Sequence, residues 1–70
     1  MDRDAYIRWA KARALQHLDA GELPLAVRSM LNDLNSRADT FIHPELAWLA
    51  YKHCETREAE RVRRWIEAFR

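Results

Sequence analysis

The chain has few of the residues that interrupt helices or cross-link a small fold. It contains one glycine, two prolines and one cysteine in 70 residues. Because Cys54 is alone, no disulfide can form within the chain, and a reducing compartment is the simpler expectation. We interpret its thiol as a small buried apolar group rather than a reactive nucleophile. With 49% hydrophobic and 33% charged residues, the composition is that of a folded helical protein.

Long apolar runs are absent as well. No stretch approaches the roughly 20 apolar residues that cross a bilayer, and the polar opening over residues 1–4 does not resemble a signal peptide. We therefore expect a protein of the cytoplasm with no membrane partner. The formal net charge of +1 is, by itself, no indication of a surface for nucleic acid or lipid.

The length of the chain limits its stability. Seventy residues allow one domain, which we expect to span residues 1–70. A fold of this size buries roughly 60% of the surface of its unfolded chain and is marginally stable unless a disulfide, a metal or association helps. The residues with metal affinity are scattered, so we expect no metal ion: His17, His43, His53 and Cys54. Association with another copy remains, and a homodimer is the favoured form.

The first half of the chain follows helical periodicity. An aspartate, Asp2 or Asp4, can cap a first helix over about 3–20, and Gly21 suits the left-handed position that ends it. The apolar stripe of this helix contains Ile7, Ala10, Ala14 and Leu18. A second helix is predicted over about 23–35. The connection is so short that the two helices must lie antiparallel and side by side.

The second half predicts two further helices. A third, over about 44–54, is apolar on all sides: Leu46, Leu49 and Ala50 share a face that we assign to the core, while Trp48 and Tyr51 point largely away. In the preceding loop, Phe41 and Ile42 are expected to fold back onto the core.

A fourth helix, capped by Thr56, should continue to Arg70. Its predicted buried seam is Ala59, Val62, Ile66 and Phe69. The predicted fold is all-α: a compact four-helix protein built from two helical hairpins.

Motifs that support catalysis are missing. The sequence contains no Gly-rich phosphate loop, no Ser/His/Asp arrangement and no His-Glu-x-x-His motif. Four short helices also leave little room for a pocket with convergent polar groups. We predict that the protein is not an enzyme and uses no cofactor.

Two rows of side chains are candidates for an anion- or nucleotide-binding surface. Aromatic and cationic groups follow one line of the first helix, where they can stack on a base and hold a phosphate: Tyr6, Trp9, Arg13 and His17. The alternative is that the aromatic rings pack on a neighbouring helix or subunit. The fourth helix carries a second row, Arg57, Arg61 and Arg64. Nearby glutamates favour a solvated, ion-paired face there instead.

A third candidate surface is aromatic and serves self-association or partner binding. Three tryptophans exceed what so small a core can enclose, and Trp and Tyr are the residues that anchor interfaces. The candidate interface residues are Trp48, Tyr51 and Trp65. Packing within the chain's own core is the alternative for each of them.

Two resemblances extend this interpretation. The turn over Leu18–Leu23 (LDAGEL) resembles the turn between the paired helices of a tetratricopeptide repeat, although the second half lacks the glycine. Trp9–Leu15 (WAKARAL), Ala26–Leu34 (AVRSMLNDL) and Val62–Phe69 (VRRWIEAF) together resemble a group of short proteins encoded by tailed bacteriophages. That resemblance implies an origin and no catalytic residues.

Two functions are therefore predicted, from different classes. The first is a non-enzymatic phage-type accessory protein that binds and modulates a host protein in the host cytoplasm, for counter-defence or host takeover. The second is an oligomer that brings Arg and aromatic side chains together around a nucleotide or nucleic acid. Retention on a phosphate resin that depends on salt would separate the second from the first.

Overall fold

The computed structural model describes residues 2–55 and 58–69, except for the side chains of 53 and 54. The elements are α1 (Arg3–Asp19), α2 (Leu23–Asn35), a single 3₁₀ turn (Ala38–Thr40), α3 (Pro44–Glu55) and α4 (Ala59–Glu67). These described residues form no strand, and their Cα atoms have a radius of gyration of 11.1 Å. The predicted class, a compact all-α protein with four helices, is confirmed.

Local hydrogen bonds explain where α1 begins and ends. The Asp2 carboxylate accepts a hydrogen bond from the backbone N–H of Ala5 at 2.7 Å, as an N-cap does. At the other end Gly21 has φ +79°, in the left-handed region that was predicted. The N–H of Gly21 donates to the Leu18 carbonyl and that of Glu22 to the His17 carbonyl, both at 2.9 Å. This Schellman arrangement turns the chain directly into α2.

The core lies mainly between α1 and α2, which pack as the predicted hairpin. Small side chains on both helices, Ala10, Ala14 and Ala26, are fully buried and let the two backbones approach. Larger buried side chains fill the space around them: Ile7, Leu18, Val27, Met30, Leu31, Leu34, Ile42, Val62 and Ile66.

Polar contacts hold α4 antiparallel to α1. Arg63 reaches Asp19 at 2.9 Å near the end of α1, and the Lys11 ammonium donates to the Glu67 carbonyl at 3.1 Å, one residue before α4 gives way to its cap. Since a cation at a helix C-terminus complements the partial charge of the last carbonyls, Lys11 stabilises α4 as well as orienting it. Helix α4 also contacts α3, and the connection between them contains residues 56–57, outside the described residues.

The segment between α2 and α3 differs from its prediction in one residue. Ile42 is buried, as expected, and its N–H donates to the Asn35 side chain at 2.8 Å. Phe41 is exposed, so the prediction that it packs on the core is wrong. Its backbone is extended (φ −57°, ψ 135°), and successive side chains of extended backbone point to opposite sides. Burying Ile42 therefore turns Phe41 outward.

Helix α4 also departs from its predicted seam. Val62 and Ile66 are buried and Phe69 is partly buried, but Ala59, its first residue, is exposed. A single methyl group contributes little burial, so the exposure of Ala59 has a small effect on stability. The helix ends at Glu67 rather than continuing to the end of the chain. The predicted cap, Thr56, lies outside the described residues.

Candidate interaction surface

Helix α3 faces the core with a side that the sequence did not predict. Ala50 is fully buried, as expected, and Ala47 is partly buried against the core. Leu46 and Leu49, which were assigned to the same buried face, are 53% and 47% exposed. That assignment is wrong because two alanines three residues apart let α3 approach the core more closely than leucines do.

The opposite side of α3 is left uncovered. At about 100° per residue, a line of four side chains lies directly across the helix from Ala47 and Ala50. Leu46 and Tyr51 flank this line, one on each side. We call these six residues, all exposed, the α3 surface: Glu45, Leu46, Trp48, Leu49, Tyr51 and Lys52. Trp48 is 59% exposed, the same fraction as Phe41 in the segment leading into the helix.

The centre of the α3 surface is apolar and its ends are charged. An open groove of about 450 Å³ lies at its N-terminal half, lined by Pro44, Glu45, Trp48 and Leu49. The Lys52 ammonium lies 4.3 Å from the centroid of the Trp48 ring, a cation–π contact. No described residue forms an ion pair with the Glu45 carboxylate or with Lys52.

Trp65 lies elsewhere. It is partly buried against the core, and its ring meets the Phe69 ring edge-on, with centroids 5.0 Å apart and an interplanar angle of 89°. Its environment is that of a core residue, the alternative considered for it from the sequence. Of the three predicted interface residues, Trp48 and Tyr51 therefore share the exposed α3 surface.

The aromatic and cationic row of α1 forms a continuous stack. The Tyr6 and Trp9 rings are tilted by 35° with centroids 5.3 Å apart. The Arg13 guanidinium lies 4.7 Å from the Trp9 ring, and the guanidinium of Arg37 lies 5.1 Å from the Tyr6 ring. Four side chains, two of them cations, thus contact one another in sequence.

Polar contacts tie this row to α2. The Tyr6 hydroxyl donates to the Asp33 backbone carbonyl at 2.5 Å. The Asp33 carboxylate oxygen Oδ2 is buried without a hydrogen-bond partner among the described residues, and Arg13 Nε lies 3.5 Å from it. Farther along, His17 Nδ1 lies 3.5 Å from the Glu22 carboxylate. These contacts favour the alternative interpretation, in which the side chains of this α1 row pack on the neighbouring helix.

The arginines of α4 are paired along the helix. Arg61 pairs with Glu58, and Arg64 lies 3.7 Å from Glu60, with both arginine side chains more than half exposed. Such exposed pairs contribute little to stability. Arg57, the third residue of the predicted row, lies outside the described residues.

Arg63 makes a contact between α4 and α1 that the sequence did not predict. Its hydrogen bond with Asp19 raises the pKa of the guanidinium of this partly exposed side chain. The residue lies next to Arg64 in the sequence but is not part of the predicted row. Its partner is 44 residues away in the sequence, so no local signal marks the pair.

Other kinds of site find no support in the part of the chain that the structure describes. No three His, Cys, Asp or Glu side chains gather there as a metal site needs. None of the described helices has the length and hydropathy needed to cross a membrane. Comparison with protein-family models, with curated proteins and with solved structures finds no match for this chain.

Proposed function

We propose that this chain is a non-enzymatic protein-binding protein and that the α3 surface is where it binds. The observation that carries the proposal is the pair Trp48 and Leu49, which lie side by side at half exposure, opposite the side of α3 that faces the core. Contiguous exposed apolar side chains with a polar rim are typical of interaction sites.

The residue types support the same proposal. Trp and Tyr dominate binding energies at protein interfaces because they bury a large, rigid area at little cost in rotamer entropy. Covering the exposed part of Trp48 alone would contribute about 1–2 kcal/mol to association. Charged side chains at both ends, Glu45 and Lys52, supply a rim that excludes water and sets orientation.

The resemblance to short phage proteins gives this binding a biological setting. In that setting the chain is an accessory protein that binds and modulates a host protein in the host cytoplasm, to counter a defence system or to redirect host machinery. Whether the bound protein is a host protein or a second copy, a fold of this size gains stability from the association.

The nucleotide-binding alternative has less support. A base would have to displace Arg13 or Arg37 from the α1 rings, or insert where Tyr6 and Trp9 already contact each other. The described arginines of the α4 row have glutamate partners. Binding a phosphate would therefore break existing contacts, whereas binding a protein on α3 breaks none between α3 and the core.

A matched pair of variants tests the proposal. Trp48→Glu places a charge in the α3 surface, and Leu25→Glu places one at an isolated exposed leucine of α2. Host proteins retained by immobilised wild type and by the Leu25 variant, but not by the Trp48 variant, would be purified, and their binding measured by calorimetry. Loss of at least about tenfold in affinity for Trp48→Glu alone is the expected result. Equal retention by all three chains, with equal self-association, would overturn the proposal.

A further inference from the structure

We infer that the chain covering the α3 surface is a second copy of this protein, packed with its α3 antiparallel to the first. The inference rests on the proposed function, because it presupposes that the α3 surface binds protein, and it names the partner. A two-fold axis passing between Trp48 and Leu49 would relate the two copies.

The four residues of the central line are complementary to themselves under that axis. In an antiparallel pair of identical helices, residues whose numbers add to a constant lie at the same height along the pair. An axis between positions 48 and 49 places Trp48 level with Leu49 of the second copy, and Glu45 level with its Lys52. These four side chains lie within about 50° of the direction that faces the second copy, so they can meet. Leu46 and Tyr51 lie on opposite flanks of the line and form the margins of the contact.

Charge determines whether the two α3 helices pack antiparallel or parallel. Glu45 and Lys52 are seven residues apart, about 10 Å along the helix, which is too far for them to pair within one chain. Within the described residues neither has another ion-pair partner. An antiparallel dimer forms two Glu–Lys pairs between the copies, whereas a parallel arrangement in register places like charges opposite each other. Like charges in contact oppose association and select the antiparallel form.

The area of the α3 surface determines how tightly the dimer is expected to associate. Buried Trp and Tyr side chains each contribute on the order of 150–250 Å², and those of the α3 surface are about half exposed. With the leucines they amount to a few hundred Å² per copy, below the roughly 800 Å² per partner of a standard stable interface. We therefore expect a weak dimer with a Kd on the order of 10–100 µM.

Charge exchange tests the pairing. Sedimentation equilibrium between about 10 µM and 1 mM at low ionic strength would compare wild type with Glu45→Lys, Lys52→Glu and the double variant. Each single variant creates two like-charge contacts per dimer and should raise Kd at least about tenfold. The double variant restores both pairs with exchanged signs and should dimerise like wild type. An equimolar mixture of the two single variants should form a heterodimer.

Circular dichroism of each variant serves as the folding control, since Glu45 lies in the first turn of α3, where a cation is unfavourable. A wild-type chain that stays monomeric to 1 mM would overturn the inference. Single variants that dimerise normally, or a double variant that fails to recover, would also overturn it. If the wild type is monomeric but binds a purified protein through Trp48, the inference fails and the proposed function stands.

Discussion

The aromatic side chains of α1 and those of α3 look alike in the sequence and differ in the fold. Tyr6 and Trp9 stack on each other and on two guanidinium groups, and the Tyr6 hydroxyl donates to α2. Trp48 and Tyr51 are exposed, and a single lysine of the same helix lies on the Trp48 ring. The difference places Tyr6 within the chain's own packing and leaves Trp9 37% exposed beside it. It supports our proposal that the α3 rings are available to a partner.

The largest difference in stability should come from the same leucine-to-alanine substitution made in the α1–α2 hairpin and in α3. Leu34 of α2 is 1% exposed, whereas Leu49 of α3 is 47% exposed. We expect Leu34→Ala to lower the free energy of unfolding by about 2–5 kcal/mol and Leu49→Ala by less than about 1 kcal/mol. Urea denaturation measures both. Equal losses would mean that α3 packs as tightly against its own chain as α2 does.

The turn of the α1–α2 hairpin should be the next most sensitive point. Gly21 has φ +79°, and a Cβ added there would meet nothing within 4 Å. Gly21→Val should therefore cost about 1 kcal/mol or more through backbone strain alone. Gly21→Asn should cost less, because Asn tolerates the left-handed region. Similar thermal stability for the two variants would show that the φ angle is not the cause.

A pair of hydroxyl deletions refines the comparison of the two aromatic sets. Tyr6→Phe removes the hydrogen bond to the Asp33 carbonyl and should lower the free energy of unfolding by about 0.5–1.5 kcal/mol. Tyr51→Phe should change it by less than about 0.3 kcal/mol, since no described group bonds to that exposed hydroxyl. Urea denaturation, at protein concentrations too low for the chain to associate, measures both free energies of unfolding. A larger loss at Tyr51 would reverse the roles of the two helices.

Removing the two paired arginines of α4 should also have a small effect. Arg61 and Arg64 are exposed and pair with glutamates of their own helix. Replacing both with Ala should change stability by no more than about 0.5–1 kcal/mol and leave the helical spectrum unchanged. Unfolding of the double variant would mean that these arginines support the core.

The α1–α2 hairpin was largely predictable from the sequence. Its helices lie at Arg3–Asp19 and Leu23–Asn35, against predictions of about 3–20 and 23–35. The buried residues of both helices recur at three- and four-residue spacing, as Ile7, Ala10, Ala14 and Leu18 do in α1, so this spacing identifies the buried face. Gly21, between them, was predicted to adopt the left-handed conformation that ends α1, and its φ angle confirms this.

The orientation of α3 was not predictable in the same way. A helix that is apolar on all sides has no periodic face, so the larger leucines were assigned to the core. The fold instead uses the small Ala47 and Ala50, because close approach of the backbone decides which side is buried. That choice depends on the helices beneath α3, not on α3 itself.

The candidate surfaces were only partly predictable, because contacts between residues far apart in the sequence decide which side chains stay exposed. The use of Tyr6 within the fold depends on Asp33, 27 residues later in the chain. Spacing along α1 shows that its aromatic and cationic groups share a line, but not what lies beside that line. Trp48 differs because the excess of apolar residues on α3 alone predicted its exposure, although its neighbours Leu46 and Leu49 were assigned to the core.

The most direct test is the stability of the Trp48→Glu monomer, measured by urea denaturation at concentrations below association, together with its sedimentation. If Trp48 serves a partner, the free energy of unfolding should stay within about 0.5 kcal/mol of wild type while association is lost. A loss of about 2 kcal/mol or more would instead mean that Trp48 packs within its own chain. That result, with association unchanged, would contradict a binding role for the α3 surface.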